Sequence, residues 1–150
     1  MLLRRQADRF GRSVSNIVKL LNFLDKSCII YSERQVLVMC TKDQLEKIIE
    51  QIVAYSRDLF GDKFKSVILY GSYARGDYDD ESDIDIMIMV DMEREELKKY
   101  RCMISKFFSE LNLENGVFLT SKLQSQPFFN EWKNVMPFYQ NVLKEGVMYA

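Results

Sequence analysis

Eight consecutive residues, Asp83-Ile84-Asp85-Ile86-Met87-Ile88-Met89-Val90, constrain this chain more than any other stretch. In an extended strand successive side chains point to opposite faces, so Asp83, Asp85, Met87 and Met89 share one face and Ile84, Ile86, Ile88 and Val90 share the other. The run reads as a strand of a buried sheet with two acids at its mouth. A short apolar run before it, Ser66-Val67-Ile68-Leu69-Tyr70, reads as a second strand and ends at Gly71-Ser72.

Helical patterns flank these strands. Thr41-Lys42-Asp43-Gln44 has the form of a capping box, with Thr41 capping the helix and Gln44 reaching back. Leu45, Ile48, Ile49, Ile52, Val53 and Leu59 then recur at three- and four-residue steps up to Gly61. A further helix is expected from about Glu93 to Leu113, with the stripe Leu97, Tyr100, Ile104, Phe107, Phe108 and Leu111, and Gly116 after it. Val117 to Thr120 reads as a third strand. From Phe128 to about Lys144 the pattern is helical, kinked or divided at Pro137. Its aromatic residues Phe128, Phe129, Trp132, Phe138 and Tyr139 are read as packing residues rather than a base-stacking platform. The expected fold class is α/β (α+β): a small mixed β-sheet with helices packed on one face. Two segments are expected, an N-terminal extension over 1–40, formed by a helix with Arg4, Arg5, Arg9 and Arg12 on it and one or two strands, and a compact unit over 41–150.

Composition narrows the function. With 150 residues, 47% of them hydrophobic, the chain can bury the core of one ordinary domain without disulfides or a structural metal. Cys28, Cys40 and Cys102 are odd in number and widely spaced, which fits a reducing cytoplasm, the expected location. No apolar run is long enough for a membrane span, and the start lacks the apolar region of a signal peptide. A net charge of −1 argues against a dedicated nucleic-acid binder. The sequence holds 0 histidines, so neither a Ser-His-Asp relay nor a histidine-ligated zinc site can be built from it. Chemistry here has to run on carboxylates and a hard metal.

The stretch that carries such chemistry runs from Gly71 to Asp85. Aspartates at i and i+2 on one strand stand about 6.5–7 Å apart at their Cα atoms, close enough for both carboxylates to reach one divalent ion. Magnesium usually takes one or two carboxylates and completes its octahedron with phosphates and water. Gly71 lets backbone approach a ligand closely, and Ser72 offers its hydroxyl and amide at the start of a short helix. Arg75 has two open roles, contact with phosphates or neutralisation of the acidic loop. Asp77, Asp79, Asp80, Glu81, Asp83 and Asp85 place six acids within nine residues, a repulsion that a bound cation would relieve. Asp77 to Glu81 are read as a solvated loop, and Asp83 and Asp85 as the metal-binding pair.

Gly-Ser, ten residues, then Asp-x-Asp resembles the signature of the DNA polymerase β nucleotidyltransferase superfamily, and GSYARGDYDDESDIDIMI is similar to its minimal nucleotidyltransferase branch. The resemblance covers residues 41 to about 121 and implies a polymerase β-like nucleotidyltransferase fold. It implies that Asp83 and Asp85 bind Mg2+ and the triphosphate, and that Gly71 and Ser72 hold the β and γ phosphates. It also implies a third carboxylate on a later strand, which orients or deprotonates the attacking hydroxyl. This sequence departs there: Phe118 stands where the acid is expected, and Glu114 lies before the strand.

Two functions follow from the resemblance. One is an enzyme that moves AMP from ATP onto a hydroxyl, with a tyrosine of a co-encoded HEPN-domain toxin as acceptor. The other is a non-catalytic, antitoxin-like module that occludes a partner protein. A drug-modifying transferase of the kanamycin type is disfavoured by the chain length, and polymerase or tRNA-tailing roles by length and charge.

Overall fold

The computed structural model describes residues 40–79 and 81–149. The readings made for residues 1–39, Cys28 among them, and for Asp80 lie outside the described residues.

Helix α1, Lys42–Phe60, begins where expected. Thr41 caps it, its hydroxyl accepting from the Gln44 amide at 3.2 Å. The Gln44 side chain does not reach back; it donates instead to the Asn115 carbonyl at 2.9 Å, tying α1 to a later helix. Ile48, Ile49 and Ile52 are fully buried on the apolar stripe, each contributing about 1.5–3 kcal/mol relative to exposure.

Strand β1, Phe64–Tyr70, leads into the short helix α2, Gly71–Arg75, and β2 follows at Ile84–Val90. The helix expected from Glu93 arrives in pieces: α3, Arg94–Leu97, a 3-10 turn at Lys98–Tyr100, and α4, Arg101–Asn115. Gly116 ends it at φ 64°, a left-handed position that favours glycine. Strand β3, Leu119–Ser125, starts later and runs five residues further than the sequence suggests. Pro137 divides the last helical stretch completely, giving α5, Gln126–Trp132, and α6, Pro137–Glu145, with the proline in the first turn where its missing N–H costs nothing. A fourth strand, β4, Val147–Tyr149, was not expected.

The sheet order is β3-β2-β1-β4. β2 pairs antiparallel with β1 and parallel with β3, and β4 lies antiparallel on β1, so the expected mixed sheet is present. Val67, Leu69, Ile84, Ile86, Ile88 and Val90 pack on one face against α1 and α4. The expectation of helices on a single face needs correction. Ile68, Met87 and Met89 form a second cluster with Phe129, Tyr139 and Val142 of α5 and α6 on the opposite face. Met87 and Met89 share their face with the aspartates and are 0% and 4% exposed, so that face needs its own cover. The C-terminal aromatics supply it, and the Tyr139 hydroxyl is anchored to Gln124 Oε1 at 3.0 Å. Among the described residues no helix is long and apolar enough to cross a membrane.

Candidate active site

The β1–β2 pairing sets Tyr70 opposite Asp85, with Gly71 next in the chain. Gly71 has φ 75° and ends β1 directly against the Asp85 side chain. A Cβ at Gly71 would collide with Asp85 Oδ2 and stand 3.3 Å from its Cγ, so glycine is required both by conformation and by space. On its other side Asp85 Oδ1 accepts a hydrogen bond from Thr120 Oγ1 at 2.6 Å. The carboxylate is thus held between a β3 hydroxyl and the bare backbone of Gly71. Asp83 immediately precedes β2 and is exposed, on the same face as Asp85 by strand alternation.

Arg75 extends from α2 and makes two ion pairs, Nε to Asp77 Oδ2 at 3.1 Å and Nη1 to Glu145 Oε2 at 3.5 Å. Of the two roles open to it in the sequence, the structure displays neutralisation of nearby acids. The hydrogen bond to Asp77, ahead of the other contacts, holds its guanidinium more firmly protonated than usual. Ser72 closes the turn through its carbonyl, which accepts from the Gly76 amide at 2.9 Å and the Asp77 amide at 3.2 Å. Beyond it Asp79 is exposed, and its Oδ1 accepts from Ser82 Oγ at 2.7 Å and the Glu81 amide at 3.1 Å. Those bonds, the Ser82 hydroxyl first, lower the Asp79 pKa.

A cleft of about 230 Å3 opens over Asp85, between Gly71 and Arg75 on one side and Phe138, Asn141 and Glu145 of α6 on the other. Tyr70 also faces it. Burial first, and the Asp85 charge second, push the Tyr70 phenol up to about 12, so it is a neutral hydroxyl at ordinary pH. A larger cavity of about 670 Å3 lies along β3 and is not lined by either aspartate. The chemistry is assigned to the smaller cleft, because Asp85 and the Gly71 turn line it and Asp83 stands two residues before Asp85 on the same strand face.

Asp83 and Asp85 are hard oxygen donors of the kind a divalent cation takes together with phosphate and water, and Asp85 Oδ2 lies against the Cβ-less backbone of Gly71. Among the described residues no group of three or more acidic or sulfur ligands gathers to hold a metal without such help. Register places Phe118 relative to the two aspartates. Asp85 pairs with Thr120, and the Ile84 amide donates to the Phe118 carbonyl at 2.8 Å. Alternation puts the Phe118 side chain on the face of Asp83 and Asp85, where it is 57% exposed. Glu114 lies in α4 and is exposed.

Sequence reasoning missed Thr120 and the α6 residues. Thr120 was within reach, standing two residues after Phe118 and so on the same face. No local signal marks Asn141 or Glu145.

Comparison with known proteins adds two findings. A family model described as a nucleotidyltransferase domain matches residues 44–127. The chain is also similar to proteins of Methanocaldococcus jannaschii, each named "Putative protein adenylyltransferase". One is 37% identical over 101 residues, 67% of this chain and 93% of the relative. Another is 42% identical over 77 residues, 49% of this chain and 76% of the relative.

Proposed function

The chain belongs to the nucleotidyltransferase domain family, in the minimal branch of the DNA polymerase β superfamily, and from that premise we propose that it transfers AMP from ATP, with Mg2+, onto a hydroxyl of a protein. The observation that carries the proposal is the fixed position of Asp85 between Thr120 and Gly71, with Asp83 on the same face. The names of the M. jannaschii relatives support a protein acceptor. A tyrosine of a co-encoded HEPN-domain toxin is the acceptor that the family resemblance favours.

In this reading Asp83 and Asp85 hold the metal, and the Gly71-Ser72 turn receives the β and γ phosphates. Magnesium, when bound, draws charge from the triphosphate oxygens and makes pyrophosphate a better leaving group. Arg75 exchanges Asp77 and Glu145 for phosphate oxygens, a switch made easy by its exposure. Thr120 holds Asp85 in the orientation that leaves Oδ2 for the ligand. The acceptor oxygen bonds to the α phosphorus as the bond to the β-phosphate oxygen breaks. Phe118 offers no base for the hydroxyl proton, which passes to solvent. Turnover is slow for that reason.

Phe118 also favours a second reading, a module that binds nucleotide and partner without transfer. One experiment separates the two: transfer of label from α-labelled ATP with magnesium onto a co-encoded partner protein, comparing the parent with Asp83→Ala. Label that depends on Asp83 establishes the transferase. Magnesium-dependent nucleotide binding without label selects the binding module. Nucleotide binding that is unchanged in both Asp83→Ala and Asp85→Ala refutes the placement of the site.

A further inference from the structure

The cavity of about 670 Å3 along β3 takes no part in the chemistry proposed above, yet it has a definite character. Arg94 and Arg101 stand on its α3–α4 wall and Lys122 on the other side, and no carboxylate lines it. That is a concentrated positive site in a chain whose net charge is −1. Among the described residues none of the three cations is in a close ion pair, although the Glu95 carboxylate, bonded to Lys98, also feels the charges of Arg94 and Arg101, and Glu93, Glu95 and Glu131 share a neighbouring pocket with Arg94. Arg94 lies over the Phe128 ring at 4.3 Å and Lys122 over Phe138 at 4.0 Å, so aromatic faces hold both heads in place.

The floor of the cavity is an open strand edge. Among the described residues β3 is the terminal strand of the sheet on that side. Because the Ile84 amide bonds to the Phe118 carbonyl, the even-numbered residues of β3 pair with β2 and the odd-numbered ones face away. The first outward pair, on Leu119, is already taken by Asn112, which accepts from its amide at 2.8 Å and donates to its carbonyl at 3.3 Å. The outward amides and carbonyls of Ser121 and Leu123 face the cavity, where no other strand among the described residues meets them. Unpaired edge groups of this kind are a template for an added strand.

The edge leads to the candidate site. Thr120, one residue before Ser121, is the residue bonded to Asp85, and five residues of strand span only about 16 Å.

We propose that the free edge of β3, between Arg94 and Arg101 on one wall and Lys122 on the other, docks an extended acidic segment of the acceptor protein as an added strand and so brings its hydroxyl residue to Asp85. This rests on the transferase reading for its purpose but not for its measurement. The test is fluorescence anisotropy on the full chain, without nucleotide or metal, using a labelled peptide of alternating glutamate and valine with one central tyrosine. Controls replace glutamate by lysine, or N-methylate alternate backbone amides at unchanged charge. The expected result is binding of the acidic probe, weaker by about tenfold or more for both controls, and weaker by at least about fivefold in the double variant Arg94→Ala/Arg101→Ala. Both substitutions are at exposed positions, and circular dichroism confirms the fold.

Equal binding by the double variant, or by the N-methylated probe, overturns the proposal. So does tight binding of a single-stranded RNA oligonucleotide that displaces the peptide and weakens in the same variant, which would make the groove a nucleic-acid site. Peptide binding that behaves as expected while no label is ever transferred refutes the transferase reading and leaves the docking site standing.

Discussion

Replacing Gly71 by alanine tests the geometry of the site more sharply than removing a charge. The added Cβ would collide with Asp85 Oδ2 and press on Cγ at 3.3 Å and Cβ at 3.5 Å. A carboxylate at the end of a short side chain can normally swing away at little cost. Here it cannot do so without breaking the 2.6 Å bond from Thr120. Two costs therefore combine. A non-glycine residue at φ 75° costs about 1–2 kcal/mol, and losing a hydrogen bond to a charged acceptor costs about 1.5 kcal/mol or more, together about 3 kcal/mol. Gly116→Ala provides the control, because Gly116 has φ 64° but nothing within 4 Å of its Cβ position, so only the first cost applies. Urea unfolding of the parent and both variants, followed by circular dichroism, gives the difference directly. Magnesium-dependent ATP binding by calorimetry gives the second readout, with at least about a tenfold loss expected in Gly71→Ala and none in Gly116→Ala. Equal destabilisation by the two substitutions, with ATP affinity intact in both, would refute the placement of Asp85 against Gly71.

Two further outcomes follow from the same site. Phe118→Asp puts a carboxylate on the face of Asp83 and Asp85 at a position 57% exposed, so thermal melting should change little while the initial rate of label transfer rises; an unchanged rate would mean that another group already serves as the base. Tyr70 should ionise near pH 12 in an ultraviolet titration in EDTA, and Tyr70→Phe should remove that component. Since its folded value lies above the ordinary phenol value of about 10, its contribution to stability is complete below pH ~10 and is lost as pH rises toward 12. A Tyr70 signal near 10 would show that the phenol is not shielded beside Asp85.

What the sequence determined by itself was local. The alternation from Asp83 to Val90 decides which residues share a face, whatever the neighbouring strands are, and Gly71-Ser72 marks the end of β1. The stripe from Leu45 to Leu59 and the cap at Thr41 define α1 within a residue at its start. Each of these is a property of side chains within about one turn or two strand positions of one another. The tertiary structure decided everything that depends on register or on distant segments meeting. β3 runs on through Ser121-Lys122-Leu123-Gln124-Ser125, a stretch too polar to read as a strand alone, because its hydrogen bonds to β2 hold it there. β4 has three residues and exists only against β1. Gln44 leaves its own helix end because the Asn115 carbonyl comes within reach. Thr120 meets Asp85 across 35 positions of sequence, and Glu145 meets Arg75 across a still longer loop of chain. Such contacts form only once the apolar faces of β1 and β2 have fixed where β3 and α6 can lie. Strand alternation can be read from neighbouring residues, but strand register is chosen by the packing of the whole sheet.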